Sequence, residues 1–453
     1  MLTSTAMAAN CNALLQGPAQ PFTEVITDSR AIKAGCLFVA LKGESFDGHQ
    51  FVAQAINAGA SGVLVSTKVA APPTVSVLRV EDTLLALQAI AKAHRAQFSL
   101  PVIAVTGSNG KTTTKQMIAS IARAHFGDEA VVATIGNLNN HIGVPLTLLR
   151  IRAGHKVAII EMGMNHFHEL SLLTRLAQPD VAVITNAGPA HLEGVGSLMG
   201  VAKAKGEIFE GLTSGGTAII NRDDAFYAYW QVITRDAKQL SFGRHSSANI
   251  KGSFQAPNEL VFTLPDAPHV ASVALSMPGE HNASNALAAI AATHAIGVSA
   301  DAMVSGLRVA TNVSGRLTQN RLPNGTLAID DSYNANPASM RAAIDVLRAQ
   351  SGKRFLVVGD MAEMGENWQA LHREVAQYAA SAGLDGIFAL GPRFQSVAAE
   401  FGANGLSFSS LEALVQAVQS RLDGQSTLLA KGAHSMAMHR VIEQLEASLK
   451  ETA

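Results

Sequence analysis

The loop V-T-G-S-N-G-K-T-T-T at 105–114 has the residue types needed to hold a triphosphate. It follows the apolar run 101–106 and opens a helical pattern that places Met117, Ile118 and Ile121 on one face. In such a loop, backbone N–H groups and a helix N-terminus point at phosphate oxygens, a lysine reaches the terminal phosphates, and a threonine can hold Mg²⁺. The predicted nucleotide site comprises Gly107, Ser108, Asn109, Gly110, Lys111, Thr112 and Thr113.

This loop departs from the common phosphate-loop pattern G-x-x-x-x-G-K-[ST]. That pattern needs glycine at position 105, where this chain has Val105, and the first glycine here is Gly107. The alternative, a glycine-rich turn with a chance Lys-Thr pair, is disfavoured because the loop stands between a strand and a helix.

A carboxylate ends the next apolar run, 157–162, at Glu161. Mg²⁺ favours one or two carboxylates together with phosphate and water, so this side chain could reach a metal at the loop. A purely structural hydrogen bond at the strand end is the alternative.

The elements that must position these residues form an alternating pattern. Apolar runs at 101–106, 157–162, 181–185 and 217–221 are separated by helical stretches, and runs at 326–331, 355–360, 386–390 and 427–432 repeat the pattern. Such runs are typical of parallel strands that are buried on both faces. Ligands of these sheets bind at the carboxyl ends of the strands.

Three domains of α/β class are predicted. Residues 1–83, with short apolar runs at 36–41 and 62–67, form a small N-terminal α/β domain. Residues 84–313 form a central domain that resembles P-loop ATPases and has a mostly parallel sheet. Residues 314–453 form a C-terminal Rossmann-like domain. A helical pattern at 82–97 leads from the first domain into the second.

Composition excludes several classes of protein. The 453 residues include 34 Lys and Arg against 35 Asp and Glu, so nucleic acid is not expected as a partner. The two cysteines, Cys11 and Cys36, rule out a disulfide scaffold and favour a reducing compartment. No apolar run approaches the roughly 18 residues of a membrane span, and the N-terminus does not resemble a secretory signal. We expect a cytoplasmic monomer; peripheral membrane association stays open.

The shortened loop T-G-x-x-G-K-T-T resembles that of the Mur ligase family, which makes the cytoplasmic precursor of peptidoglycan and includes folylpolyglutamate synthetase as a relative. The resemblance implies that Thr112 and Glu161 bind Mg²⁺, and that His191, in the segment 186–194, serves a second Mg²⁺ ion. It also implies a carbamate on Lys205. Of Lys203 and Lys205, which face different sides of a helix, Lys205 directly precedes the family segment G-E-I-F.

Further segments complete the nucleotide site by resemblance. P-G-E-H-N-A-S-N-A at 278–286 is similar to the segment whose asparagines face adenine, which implies Asn282 and Asn285, although simple helix capping is an equal alternative. S-G-R at 314–316 implies that Arg316 contacts the γ-phosphate. The turn at 329–340 borders the ribose in the family, which favours Asp331 and Asn334.

The segments 136–149, 331–340 and 359–366 extend the resemblance, which implies an amide ligase with UDP-N-acetylmuramoyl tripeptide and D-alanyl-D-alanine as its substrates. Its substrate contacts map by resemblance onto Ser29, Arg30, Asp47, His49, Asn137, Asn139 and Asn140. The sequence departs from the family where His141 replaces glutamate. It departs again in the segment 431–439, where Ala433, His434 and His439 replace Ser, Arg and Glu while Lys431 is retained.

The family's chemistry gives these residues roles. A carboxylate takes the γ-phosphoryl group of ATP to form an acyl phosphate, which the dipeptide amine then attacks; Lys111, Lys205, His191 and Arg316 are the expected catalytic residues. Arg316 must reach ATP held by another domain, so domain closure is expected. Alternatives are a sibling amide ligase, a nucleotide-gated regulatory protein and a small-substrate kinase; the segment 331–337 and the second-metal residues argue against the first two.

Overall fold

The structure is a computed structural model that describes residues 2–44, 46–255, 258–277, 279–311 and 315–451. Pro278 and Ser314, which belong to segments quoted above, lie outside the described residues, and so does Ser45. The predicted boundary between residues 313 and 314 also lies outside them, as does the C-terminal residue 453.

The N-terminal region contains a five-stranded sheet in the order β2-β7-β6-β5-β4, parallel except for β2, and a separate antiparallel pair of β1 and β3. Its strands are β1 (Leu2–Thr3), β2 (Leu14–Gln16), β3 (Pro21–Phe22), β4 (Val25–Ile26), β5 (Leu37–Val39), β6 (Gly62–Val65) and β7 (Ser76–Arg79). Its helices are α1 (Ser4–Cys11) and α2 (Val52–Asn57), with a 3₁₀ turn at Gly48–Phe51.

The central region is built on a nine-stranded sheet in the order β16-β15-β14-β13-β12-β11-β8-β10-β9. Its strands are β8 (Val102–Thr106), β9 (Val131–Ala133), β10 (Val157–Glu161), β11 (Val181–Ile184), β12 (Thr217–Asn221), β13 (Lys238–Gly243), β14 (Ile250–Gln255), β15 (Glu259–Leu264) and β16 (Ala267–Ala274). Its helices are α3 (Thr83–Arg95), α4 (Lys111–Phe126), α5 (Gly143–Leu148), α6 (Glu169–Ala177), α7 (Leu192–Val195), α8 (Leu198–Gly206), α9 (Tyr227–Ile233), α10 (Glu280–His294) and α11 (Ala300–Val309).

The C-terminal region has a six-stranded sheet in the order β17-β18-β22-β19-β20-β21, in which only β17 pairs antiparallel. Its strands are β17 (Thr318–Arg321), β18 (Leu327–Asp330), β19 (Arg354–Gly359), β20 (Gly386–Leu390), β21 (Gly405–Phe408) and β22 (Thr427–Lys431). Its helices are α12 (Pro337–Arg348), α13 (Trp368–Ser381), α14 (Pro392–Gln395), α15 (Leu411–Gln419) and α16 (His439–Glu451).

The α/β class and the parallel arrangement predicted from the apolar runs are confirmed. Each run named in the sequence analysis contains a strand, and the helical pattern at 82–97 contains α3. The central sheet is parallel from β9 to β14, and β15 and β16 extend it beyond β14 through antiparallel pairs; the sequence analysis did not anticipate β14, β15 or β16. In β14 and β15, residues that are more buried alternate with residues that are less buried, so neither strand is buried along its whole length.

Packing fixes the carboxyl ends of the strands relative to the helices that follow them. Helices α4, α10 and α11 bury one face of the central sheet, where Ile118, Leu287 and Met303 are almost fully buried. On the other face, α3 packs in a core shared with the N-terminal sheet, to which Leu37 and Leu87 both belong. Within the described parts of the chain, no helix combines the length and apolar character that crossing a bilayer requires.

Candidate active site

The glycine-rich loop at 107–110 connects β8 to α4 and needs glycine at both ends. Gly110 has φ +80°, and a Cβ there would lie 2.1 Å from Oδ1 of Asn285. Gly107 has φ +154°, and a Cβ there would lie 1.8 Å from Oγ1 of Thr185. The loop is therefore pressed against α10 on one side and the end of β11 on the other, and Ser108, Asn109 and Gly110 line a cleft.

Lys111 begins α4 and its Nζ donates a 2.7 Å hydrogen bond to the carbonyl oxygen of Gly107. Burial lowers the pKa of the Lys111 ammonium to about 8; Glu161 partly opposes this shift, and Arg316 adds to it. The lysine therefore lies next to the loop backbone with its charge poorly solvated, and a nearby anion would stabilise the charged form.

This pKa predicts proton uptake on nucleotide binding. Near pH 8 about half of the Lys111 side chains are neutral, and a bound triphosphate restores the charged form because opposite charges attract. We expect the protein to take up about half a proton when it binds a non-hydrolysable ATP analogue at pH 8. The analogue should bind more weakly as the pH rises further. Isothermal titration in buffers of different ionisation enthalpy measures this uptake; equal proton numbers at pH 7 and pH 8 would contradict it.

Glu161, at the end of β10, is 1% exposed and faces the loop. Its Oε1 accepts hydrogen bonds from Thr112 Oγ1 at 3.1 Å and from Asn139 Nδ2 at 2.9 Å. Its Oε2 has no hydrogen-bond partner among the described residues, although Lys115 Nζ lies 3.7 Å away. A buried carboxylate oxygen without a hydrogen bond, next to a threonine hydroxyl, is suited to a hard cation.

His191 lies in the loop after β11 with a left-handed backbone, φ 57°. Its Nδ1 is 2.5 Å from Oε2 of Glu363, which belongs to the C-terminal region. The contact with His191 lowers the pKa of the Glu363 carboxyl. Glu363 also has positive φ, 58°, and the side chains of Met361 and Met364 on either side of it are buried. The backbone thus turns this one carboxylate into the cleft.

Lys205 and Lys203 lie on α8 and face opposite ways. Lys203 is exposed, whereas Lys205 is 1% exposed and its Nζ has no hydrogen-bond or ion-pair partner within the described part of the chain. Burial, with a smaller contribution from the nearby Lys111, lowers the pKa of Lys205 well below its usual value. A neutral amine at this position is the form that reacts with carbon dioxide.

The C-terminal region directly contacts the segment 105–114, which is predicted to bind nucleotide and is called the nucleotide loop below. Arg316 Nη2 donates to Thr112 Oγ1 at 3.0 Å, and its guanidinium lies 4.2 Å above the ring of Tyr333. Asn336 Nδ2 donates to Oδ1 of Asn109 at 2.7 Å. Arg316, which the sequence analysis expects to reach ATP held by another domain, therefore contacts the central region at Thr112 in this structure.

One cleft of about 1200 Å³ brings most of the predicted residues together. Those lining it are Ser108, Asn109, Gly110, Lys111, Thr113, Asn137, Asn139, Asn140, Glu161, His191, Asn282, Asn285, Arg316, Asp331 and Asn334. Thr112 and Lys205 are buried next to it. Asn140 Oδ1 accepts hydrogen bonds from the backbone at the start of α5, so this side chain caps a helix in this structure.

The residues predicted for the uridine end lie elsewhere. The described residues that line the cleft do not include Ser29, Arg30, Asp47 or His49. Arg30 forms an exposed ion pair with Asp28. Asp47 Oδ1 lies 2.6 Å from Nδ1 of His49, whose Nε2 accepts a hydrogen bond from the backbone of Ser66. Asp47 and His49 therefore form a polar pair in the N-terminal region, outside the lining of the cleft.

The residues that reach the site and that the sequence analysis missed include Lys115, Tyr333, Asn336 and Glu363. Lys115 could have been found because it lies one helical turn after Lys111 and therefore on the same face of α4. Tyr333, Asn336 and Glu363 lie in segments already compared with the family, within six residues after the end of a strand of a parallel sheet. Across the described residues, no three His, Cys, Asp or Glu side chains form a cluster that could hold a metal alone. A cation here would need hydroxyl, phosphate or modified-lysine ligands.

Cationic side chains from two different regions of the chain, Lys111 and Arg316, meet at the glycine-rich loop, an arrangement that suits the transfer of a phosphoryl group. The chain matches the Mur ligase family in three consecutive parts: the catalytic domain at 21–95, the middle domain at 105–293 and the glutamate ligase domain at 315–434. The chain therefore belongs to the Mur ligase family.

Relatives and solved structures agree with this assignment. The chain is 41% identical over 445 residues to the UDP-N-acetylmuramoyl-tripeptide–D-alanyl-D-alanine ligase of Escherichia coli, with 96% of each chain covered. A crystal structure of MurF from Acinetobacter baumannii superimposes with a TM-score of 0.89 at 35% identity and covers 98% of this chain and 99% of its own. MurF from Thermotoga maritima in complex with ADP gives a TM-score of 0.80 at 27% identity, covering 95% and 98%.

Proposed function

We propose that this chain is the ATP-dependent ligase that joins D-alanyl-D-alanine to the terminal carboxyl of UDP-N-acetylmuramoyl tripeptide. The product is a precursor of peptidoglycan, made in the cytoplasm, and ADP and phosphate are released. The observation that carries this proposal is that the nucleotide loop and the segment 331–336 face one cleft, in a chain that is 41% identical to the E. coli ligase over 96% of both.

The reaction requires activation of a poor acyl donor. The carboxylate of the tripeptide attacks the γ-phosphorus of ATP, the bond to the bridging oxygen breaks, and ADP and an acyl phosphate are formed. The amine of the dipeptide then attacks the acyl carbon, the bond to phosphate oxygen breaks, and an amide remains. Lys111 would bind the terminal phosphates from the loop, and Arg316 would neutralise charge on the transferred group from the opposite domain.

The residues present fit Mg²⁺. The unbonded Oε2 of buried Glu161 and the hydroxyl of Thr112 are hard oxygen donors next to the loop, and they would hold one ion. When bound, Mg²⁺ offsets the negative charge of the phosphates and of the attacking carboxylate. His191 and Lys205 would serve a second ion.

We extend the proposal to a carbamate on Lys205. Support comes from a buried amine with a strongly lowered pKa and no partner in the described chain, because only the neutral amine adds to carbon dioxide. The carbamate would change a repelling cation into an anionic oxygen donor. A free ammonium at the same position would repel Lys111 and any metal.

The three regions would divide the substrates. Ser29, Arg30, Asp47 and His49 would bind the uridine diphosphate end on residues 1–83, and Asn137, Asn139 and Asn140 would contact the peptide near the central domain, 84–313. Asn282 and Asn285 would face adenine, while Asn334 would lie near the ribose. The dipeptide would bind against residues 314–453, and one chain would suffice for the reaction.

The test is phosphate release from ATP with Mg²⁺, UDP-N-acetylmuramoyl tripeptide and D-alanyl-D-alanine, leaving out one component at a time. We expect release only with all of them, and a product heavier than the tripeptide substrate by one dipeptide less water in its mass spectrum. L-alanyl-L-alanine is the matched control and should give no product. Release with a different amine would assign the chain to a sibling ligase, and release without any nucleotide sugar would contradict the proposal.

A further inference from the structure

Lys431 ends β22 and is 3% exposed, and the proposed function leaves it without a role. Its Nζ donates to Asp331 Oδ2 at 2.6 Å and to the carbonyl oxygen of Asn334 at 2.9 Å. A buried ammonium that donates to a carboxylate and to a carbonyl oxygen uses its hydrogen bonds within the protein. It has little capacity left for a substrate carboxylate.

The second carboxylate oxygen of Asp331 is also hydrogen-bonded within the protein. Its Oδ1 accepts a 3.2 Å hydrogen bond from the backbone N–H of Leu317. Leu317 has φ 54°, a left-handed conformation that a bulky side chain rarely adopts and that surrounding structure must impose. The carboxylate of Asp331 therefore links Lys431 to the strained start of the C-terminal domain.

Arg316 directly precedes this strained residue. The turn that contains Asp331 also contacts Arg316 and the residue before it. The backbone N–H of Tyr333 donates a 3.0 Å hydrogen bond to the carbonyl oxygen of Gly315, and the Tyr333 ring lies under the guanidinium of Arg316. Arg316 reaches Thr112 through Nη2, while its buried Nε has no hydrogen-bond partner among the described residues. The guanidinium thus points at the start of α4, and its Nε–H is not used by any described residue.

We infer that Lys431 is a positioning residue for phosphoryl transfer, which acts through Asp331 on the backbone of residues 315–317 and so fixes the direction of Arg316. The ion pair makes Arg316 part of the end of the C-terminal sheet, so that the arginine is carried to the γ-phosphate as this domain closes. This inference rests on the proposed function. It gives Asp331 a role in holding the arginine in place of the ribose contact that resemblance implies.

The test compares kcat, the KM of each substrate, and acyl-phosphate formation measured as ADP produced in a single turnover without dipeptide. We expect Lys431→Met to lower kcat and acyl-phosphate formation by about 10- to 100-fold, with the KM of both peptide substrates within about twofold of wild type. In an Arg316→Ala background the same change should cost nothing further, since both act as one unit. Asp331→Asn, which keeps the shape of the side chain, should reproduce the loss if Lys431→Met fails to fold.

Lys353→Met is the matched control, because Lys353 forms an exposed ion pair with Asp423 at the opposite end of the same sheet and should leave kcat unchanged. A higher KM for D-alanyl-D-alanine with normal ADP formation would overturn the inference and make Lys431 a dipeptide contact. A higher KM for ATP alone would restore the ribose role of Asp331. Additive losses with Arg316→Ala would also overturn it. Inactive wild-type protein would instead refute the proposed function.

Discussion

Replacing Lys205 by alanine should reduce turnover by roughly 10²- to 10³-fold, the usual cost of removing one group that stabilises developing charge. The side chain is buried, its pKa is strongly lowered, and no other group in the described chain pairs with it. Its loss would remove the proposed anionic ligand and leave a cavity of similar size. Added formate or acetate should enter that cavity and restore part of the phosphate release.

Lys203→Ala is the control for this prediction, because Lys203 is exposed on the same helix two residues away. It should keep wild-type turnover and show no response to formate. Wild-type protein in ¹³C-bicarbonate should show a carbamate carbon signal that Lys205→Ala lacks. Turnover close to wild type in Lys205→Ala would contradict the carbamate.

Replacing Lys111 by methionine should lower kcat by about 10³-fold or more, as expected for a group that neutralises charge in phosphoryl transfer. Methionine keeps the unbranched shape but removes the ammonium group that lies next to the carbonyl of Gly107. The affinity for the ATP analogue should also fall, and its proton uptake near pH 8 should disappear, because the titrating group is gone.

Arg123→Met offers a control on the same helix, since Arg123 is an exposed cation in the last turn of α4. It should change neither kcat nor proton uptake. Proton uptake that persists in Lys111→Met would assign the titration to a different group.

The sequence was sufficient to predict the architecture because buried parallel strands are continuous apolar runs. β10 and β11 are almost fully buried along their whole length, as the runs around Ile159 and Val183 predict. The loop at 107–110 was predictable for a related reason: its glycines, lysine and threonine are consecutive in the chain. Local patterns of this kind survive in the sequence without any knowledge of the fold.

Contacts between distant segments were not predictable in the same way. Nδ1 of His191 lies 2.5 Å from Oε2 of Glu363, yet nothing in the local sequence around either residue links the two. Asp331 looks like any polar residue after a strand, and only its two partners, Lys431 and Leu317, indicate a different role. The antiparallel strands β14 to β16 were missed because their half-exposed residues give no continuous apolar run.

The direct contacts of Arg316 with Thr112 and of Asn336 with Asn109 have a consequence for inhibition. In this structure the C-terminal region already contacts the loop and the start of α4, so the phosphates of an ATP molecule bound as proposed would compete with these two hydrogen bonds. A small molecule that braced Arg316 and Asn336 against the loop would slow nucleotide entry and behave as a competitor of ATP. It would do so without resembling adenine, which separates it from compounds that also bind kinases.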